Sequence, residues 1–382
     1  MKASILALGL YRSSGGPSKS VAAFQRALSA DVVSWVDPVA YAREPLIWDD
    51  ANYRHHVVTG SSLPALRQLC YPQQCGLAEA ERIIAGSDLV SCHSFWRWHN
   101  VWLERVAARH RVPYWFVPHG ALDPYVMKSE TVVKRAFLSL GGRRFLAGAR
   151  AVVCATQREY EKLAQLMPQA RPVILPWPLD DAEFRERDET SRDAVRRSLG
   201  IPEDALVFLS FGRLHPMKRP LETITAVARL GSPSCHLLIV GNEFGITVRQ
   251  CQEQARSLGI GDRVHVIGPA YGADRHRFMD AADVYVSLSH RENFNFTATE
   301  CMASGLPVVL SSGNDLANDL KPQACGWMLS AQTPLDDALV EAAAATSDIR
   351  RAYGRNARAW CDSHLRSEVF AHSLQSAAHA IL

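Results

Sequence analysis

What most constrains this chain is a rhythm of short apolar runs, each ending in a loop with Gly, Pro or His and each followed by an amphipathic stretch. The runs at residues 3–10, 31–35, 88–92, 113–117, 151–155 and 172–175 form one series. Those at 205–210, 236–240, 264–267, 284–288 and 308–310 form a second. Apolar runs that do not alternate with polar residues are strands covered on both faces, and a parallel sheet flanked by helices covers both. The pattern therefore predicts an α/β protein with two doubly wound units. Between the series, Trp177-Pro178-Leu179 and a charged run over 180–192 break the periodicity and read as a linker. Residues 38–80 are rich in Pro, Trp, Tyr and His and read as loops with short elements; residues 335–382 read as helices.

Composition narrows the class. A chain of 382 residues exceeds one ordinary core and fits two. Its net charge of +3 hides an asymmetry, because residues 1–179 carry 21 Lys and Arg against 13 Asp and Glu. A basic first half and an acidic second half imply different partners for each. The cations are dispersed and spell no recognition motif, so nucleic acid is not expected as a partner. Nine cysteines without CxxC pairs, Cys70 and Cys75 being the nearest neighbours, describe reduced thiols of a cytoplasmic protein. The first apolar run reads as a strand rather than a leader, and no run of 18 apolar residues is present to span a membrane. Lys128, Lys134, Arg135, Arg143, Arg144 and Arg150 surround an apolar stripe. Such a stripe is a solvated helix face or a contact with an anionic membrane surface.

The stretch 287–310, SLSHRENFNFTATECMASGLPVVL, parses as strand end, polar loop, short helix, Gly305 and a second strand. In open α/β sheets ligands sit beyond the carboxyl ends of strands, where helix N-termini favour phosphate. Glu292 in the loop and Glu300 about a turn into the helix are placed to grip different ends of one elongated ligand. Carboxylates accept strongly from sugar hydroxyls, which points to a nucleotide sugar. Thr297-Ala298-Thr299-Glu300 also spells a capping box, in which the Glu only ties off a helix.

Other strand ends add to this. Arg213 and Lys218 flank the turn after the run at 205–210, where a bidentate fork and a point charge both reach one diphosphate. Gly241-Asn242-Glu243 and Gly268-Pro269-Ala270 follow later strands. In the first half, Gly15-Gly16-Pro17 permits close backbone approach and opens a helix. Pro118-His119-Gly120 puts a histidine at a strand's carboxyl end, as a ligand-facing or a structural group. No GxGxxG is present, which argues against a dinucleotide cofactor.

Together these residues resemble the group 1 (family 4) retaining glycosyltransferases. Glu292 and Glu300 with the following CMASGLPVV, Gly212-Arg213-Leu214 with Lys218, Gly15-Gly16-Pro17 and Pro118-His119-Gly120 occur in the family's order. The resemblance implies the GT-B fold: two Rossmann-like domains facing a central cleft, with a C-terminal helix crossing back to the first. Residues 1–178 would bind the acceptor, 179–364 the sugar nucleotide, and 365–382 would form the crossing helix. His119, Glu292, Arg213 and Lys218 would be catalytic. Arg213 and Lys218 would neutralise the diphosphate, Glu292 would hold the sugar, and His119 would sit beside it. Gly16, Gly268 and the backbone of Asn293, Phe294, Asn295 and Phe296 would complete the donor site, with Glu300 on the ribose. No cofactor or metal is implied.

Two departures stand out: Asn293-Phe294-Asn295-Phe296 replaces the family's Gly-Phe-Gly, and Trp177-Pro178 replaces Asn-Gly at the linker. The expected activity is transfer of a hexose from a UDP- or GDP-linked donor to a glycan, lipid-linked, in bacterial surface polysaccharide assembly. The setting would be the cytoplasm, peripheral at the inner membrane face. Two alternatives are a hydrolysing 2-epimerase of the same fold and a catalytically silent nucleotide-sugar-binding subunit. An acceptor-dependent product separates both from a transferase.

Overall fold

The computed structural model describes residues 1–11, 15–47, 54–63, 71–73, 76–127, 131–330, 332 and 334–382. Cys70, Cys75, Lys128 and residues 12–14 lie outside these. The chain forms two compact units, one of Met1–Pro178 with Ser367–Leu382, the other of Leu179–Arg366.

The first unit holds seven strands: β1 (Ala3–Leu8), β2 (Asp31–Val36), β3 (His55–Thr59), β4 (Leu89–His93), β5 (Tyr114–Val117), β6 (Ala151–Cys154) and β7 (Arg171–Ile174). Their order is β3-β2-β1-β4-β5-β6-β7, and all the pairings are parallel. The order reverses between β1 and β4, which puts the loops after those strands at the place where such sheets bind ligands. β3 fell within the region read as loops. Its sequence, HHVVT, is half-buried at the sheet edge, so side-chain patterning is weak there and backbone pairing with β2 defines it. The helix Leu77–Ala85 begins in that region.

The helix Gly16–Leu28 begins at Gly15, whose φ of 69° suits glycine, with Pro17 in its first turn. On it packs the C-terminal helix Ser367–His379, which belongs to this unit although it is 188 residues further along the chain than Leu179. Phe24 meets Phe370 at 5.3 Å and Trp177 at 5.6 Å between ring centres, and Gln375 Nε2 donates to Ala27 O at 2.7 Å.

The second unit holds β8 (Leu206–Phe211), β9 (Cys235–Val240), β10 (Val264–Ile267), β11 (Val284–Ser287), β12 (Val308–Leu310) and β13 (Gly326–Met328). Their order is β10-β9-β8-β11-β12-β13, again with parallel pairings, and the reversal falls between β8 and β11. β9, β11 and β12 are buried along their whole length, as apolar runs require. The charged run at 180–192 is not a linker. It contains the single turn Asp181–Glu183 and the start of the helix Glu189–Ser198, capped by Asp188. Its arginines serve the interior: Arg185 pairs with Asp280 at 2.5 Å, while Arg196, further along the helix, pairs with Asp283 at 2.8 Å and donates to Ala205 O.

The helix Ser347–His364 crosses Gly305 closely at Gly354, where a Cβ would lie 2.1 Å from Gly305 O. Helix propensity alone favours Gly354→Ala by roughly 1 kcal/mol. The clash with a backbone oxygen outweighs that gain, so the urea midpoint of Gly354→Ala is expected to fall below that of the parent. A rise would show that the two backbones separate freely.

Candidate functional site

In the second unit the loops after β8, β9, β11 and β12 are tied together at the reversal. A Cβ on Gly241 would lie 1.8 Å from Gly212 O, so the loops after β8 and β9 meet only because position 241 is glycine. Leu214 N donates to Asn242 O, and Phe244 N donates to Leu214 O. His215 caps the turn Pro216–Lys218, its Nδ1 accepting from Met217 N at 2.9 Å. His290 N reaches Met217 O, and Glu292 N reaches Gly313 O, both at 2.8 Å. The loop bearing Glu292 is thus pinned on two sides.

On this frame Lys218 Nζ pairs with Glu292 Oε1, which also accepts from Ser289 Oγ at 2.9 Å. Lys218 is 30% exposed and Glu292 14%, so the pair sits at the rim of solvent rather than within the core. Arg213, exposed on the same loop, lies over the Phe244 ring at 4.9 Å. Gly212, Arg213, Lys218, Ser287 and Ser289 line a small recess here. Gly268 follows β10 with open space at its α-carbon.

Glu300 does not cap its helix. Asn295 does, accepting from Ala298 N through Oδ1, while its Nδ2 donates to Ser287 Oγ at 3.1 Å and Asn314 Oδ1 at 2.9 Å. The Asn295 side chain is therefore structural, and only its backbone is open to a ligand role. Phe294 is buried and meets Phe296 edge-on at 5.0 Å, while Asn293 is half-buried. Glu300, 5% exposed, pairs through Oε2 with Arg275, which pairs in turn with Glu183; His276 Nε2 lies 3.2 Å from Glu183. These three partners escaped the sequence reading, since Glu183 sat in the charged run and Arg275 and His276 in a stretch read as ordinary helix.

In the first unit His119 ends the strand-and-turn after β5 with a φ of 50°. The turn is held from behind by Glu159, buried, which accepts from Gly120 N at 2.8 Å and Ala155 N at 2.9 Å. Asp123 pairs with Lys162 at 2.6 Å, and Trp96 Nε1 donates to Ala121 O at 2.7 Å. His119 Nε2 meets His93 Nδ1 at 2.9 Å, and His93 Nε2 meets Ser91 Oγ at 2.9 Å. Trp177 covers His119 at 5.5 Å. The signal for His93 was legible, since it too stands at the carboxyl end of a strand. Gly16 lies at the start of its helix, after β1. A larger groove at the amino ends of β4, β5 and β6, lined by Asp88, Arg111, Tyr114 and Arg150, contains none of these residues.

Burial lowers His119 from 6.5 to about 4. Burial, then the neighbouring His119 and His99, puts His93 well below its usual value. Both are neutral at pH 7, and each ring then carries one N–H, so the shared hydrogen bond makes the tautomer of one set that of the other. The unfolded chain takes up a proton at His119 near 6.5, while the folded chain refuses it until about 4. Stability is therefore expected to fall as pH drops through that window. The fall in urea midpoint should be shallower in His119→Asn, a residue that tolerates positive φ. Equal slopes in parent and variant would exclude the buried neutral imidazole as the cause.

Two parallel-sheet α/β units, each with one reversal of strand order, make up the GT-B fold. Residues 15–177 match the family described as "Glycosyl transferase 4-like domain", and 191–360 match "Glycosyl transferases group 1". The chain belongs to the group 1 glycosyltransferases and is an enzyme of that kind. Among its relatives is the D-inositol 3-phosphate glycosyltransferase of Xylanimonas cellulosilytica, 29% identical over 88% of this chain and 85% of the relative. Anabaena HepE, solved with UDP, superposes with a TM-score of 0.76 at 19% identity over 100% of both chains. WaaG, a glycosyltransferase involved in lipopolysaccharide biosynthesis, does so with 0.66 at 18% identity over 99% of both. At these identities the two structures speak for the fold.

Proposed function

We propose that this enzyme transfers a hexose, with retention, from a UDP- or GDP-linked donor to a lipid-linked glycan in surface polysaccharide assembly. The observation that carries the donor half is the Lys218–Glu292 pair at the strand reversal of the second unit, with Arg213 on the same loop. That HepE was solved with UDP agrees with it. As the anomeric C–O bond breaks, charge grows on the departing nucleoside diphosphate. Arg213 and Lys218 supply preorganised positive charge for it, which is why no metal is called for. Glu292, steadied by Ser289, accepts from hydroxyls of the sugar. The acceptor hydroxyl attacks on the face the diphosphate leaves, its proton passing to a departing phosphate oxygen. We also propose a role in transfer for His119 of the first unit, whose imidazole is neutral at pH 7.

For the acceptor, the basic first half suits an anionic partner. On it Val132, Val133 and Leu140 are 77%, 55% and 62% exposed, beside exposed Arg135 and Arg143, a pattern suited to the inner face of an anionic membrane. Lys134 does not share in this, because it is buried over the Trp96 ring at 5.4 Å. No helix among the described residues is long and apolar enough to cross a membrane. The name of the Xylanimonas relative favours a second reading, a small phosphorylated polyol as acceptor. Release of UDP or GDP with each acceptor class separates the two, and release without any acceptor would favour hydrolysis.

UDP or GDP should raise the melting temperature without added metal, by mass action on the folded state. Lys218→Ala should lower turnover tenfold or more, since one charged contact contributes about 1.5–3 kcal/mol. Turnover unchanged in a folded variant would remove Lys218 from the leaving-group site.

A further inference from the structure

We infer that Arg275 is a positioning residue for nucleotide recognition: it fixes the Glu300 carboxylate that accepts from the ribose. The inference rests on the reading of Glu300 as the ribose ligand. Its own evidence is the geometry around the guanidinium. Nη1 goes to Glu300 Oε2, Nη2 goes to Glu183 Oε1, and Nε donates to Gly272 O at 3.2 Å. All three sides of the planar fork are committed, so the group has one orientation. Glu183 is steadied by His276 Nε2 at 3.2 Å, and the side chains of Arg275, Glu183 and Glu300 are 15%, 6% and 5% exposed.

This arrangement does two things for Glu300. A buried carboxylate without a partner is costly, and Arg275 supplies a countercharge that Glu300 shares with Glu183. A carboxylate on a helix also turns about its last bond, and a fork that binds one oxygen along a fixed line stops that turn. The direction in which the carboxylate meets ribose hydroxyls is then set from behind, by residues that do not touch the nucleotide. A lysine provides the charge but cannot bridge Glu183 and Glu300 with a planar fork. The motif residues alone do not show this, because Glu183, Arg275 and Glu300 are far apart in sequence.

The test measures binding of UDP and 2′-deoxy-UDP, or the guanosine pair if the chain prefers GDP, by titration calorimetry, together with steady-state kinetics. Four chains are compared: the parent, Arg275→Ala, Arg275→Lys and Glu300→Gln. Arg275→Ala is expected to raise the donor KM tenfold or more with kcat within a few-fold. Its preference for the ribose form should collapse towards that of Glu300→Gln, with Arg275→Lys keeping part of it. If Glu300→Gln loses the preference while Arg275→Ala retains it, the role of Arg275 is wrong and that of Glu300 stands. If Glu300→Gln itself keeps the preference, or the parent binds neither nucleotide, the reading of Glu300 falls and the inference with it. Should Arg275→Ala fail to fold, Arg275→Lys decides by the same ratio. An unchanged preference and KM in that folded variant would overturn the inference.

Discussion

The parallel sheet is the constraint on which everything else rests. A parallel strand cannot turn back on its neighbour. Each strand therefore ends in a loop that leads into a helix, and all such loops emerge on one edge. Where strand order reverses, neighbouring loops lead away in opposite directions. In the second unit those loops carry Lys218 and Glu292, and the hydrogen bond His290–Met217 and the Lys218–Glu292 pair hold them together, while Glu292–Gly313 ties the second to the loop after β12. The site is a by-product of topology made specific by a few charged side chains.

Much of this was legible in the sequence because burial on both faces leaves uninterrupted apolar runs. β8, β9, β11 and β12 were readable for that reason, and so were the residues at their ends. Edge elements were not. β3 is half-buried at the sheet edge, and β13 is only three residues of Gly, Trp and Met, so each depends on a neighbour's backbone that no local pattern records. The charged run at 180–192 misled for a related reason. Charge usually marks solvent, yet Arg185 lies against Asp280, and Arg196 beyond the run lies against Ala205 and Asp283. Their partners are too distant in sequence for spacing to reveal.

The two glutamates of the motif show the same division. Their spacing was readable, but their environments differ in ways spacing does not encode. Glu292 meets a lysine on a flexible stem near solvent, whereas Glu300 meets an arginine fork in the interior. The first can change partners as charge moves, while the second is held in place. Even the capping-box pattern at Thr297 was overridden, because Asn295 reached the helix N-terminus with more hydrogen bonds than threonine offers.

The return of the helix Ser367–His379 to the first unit bears on how the chain is made. Phe24 and Trp177 wait for Phe370 to cover them, and the whole second unit is synthesised in between. At ribosomal rates of about 5–20 residues per second, that wait is roughly 10–40 s. The unit whose first strand is made first is thus the last to close. During synthesis its aromatic cluster is a natural site for chaperones to hold, and a chain that stalls in the second half leaves both units marked as unfinished.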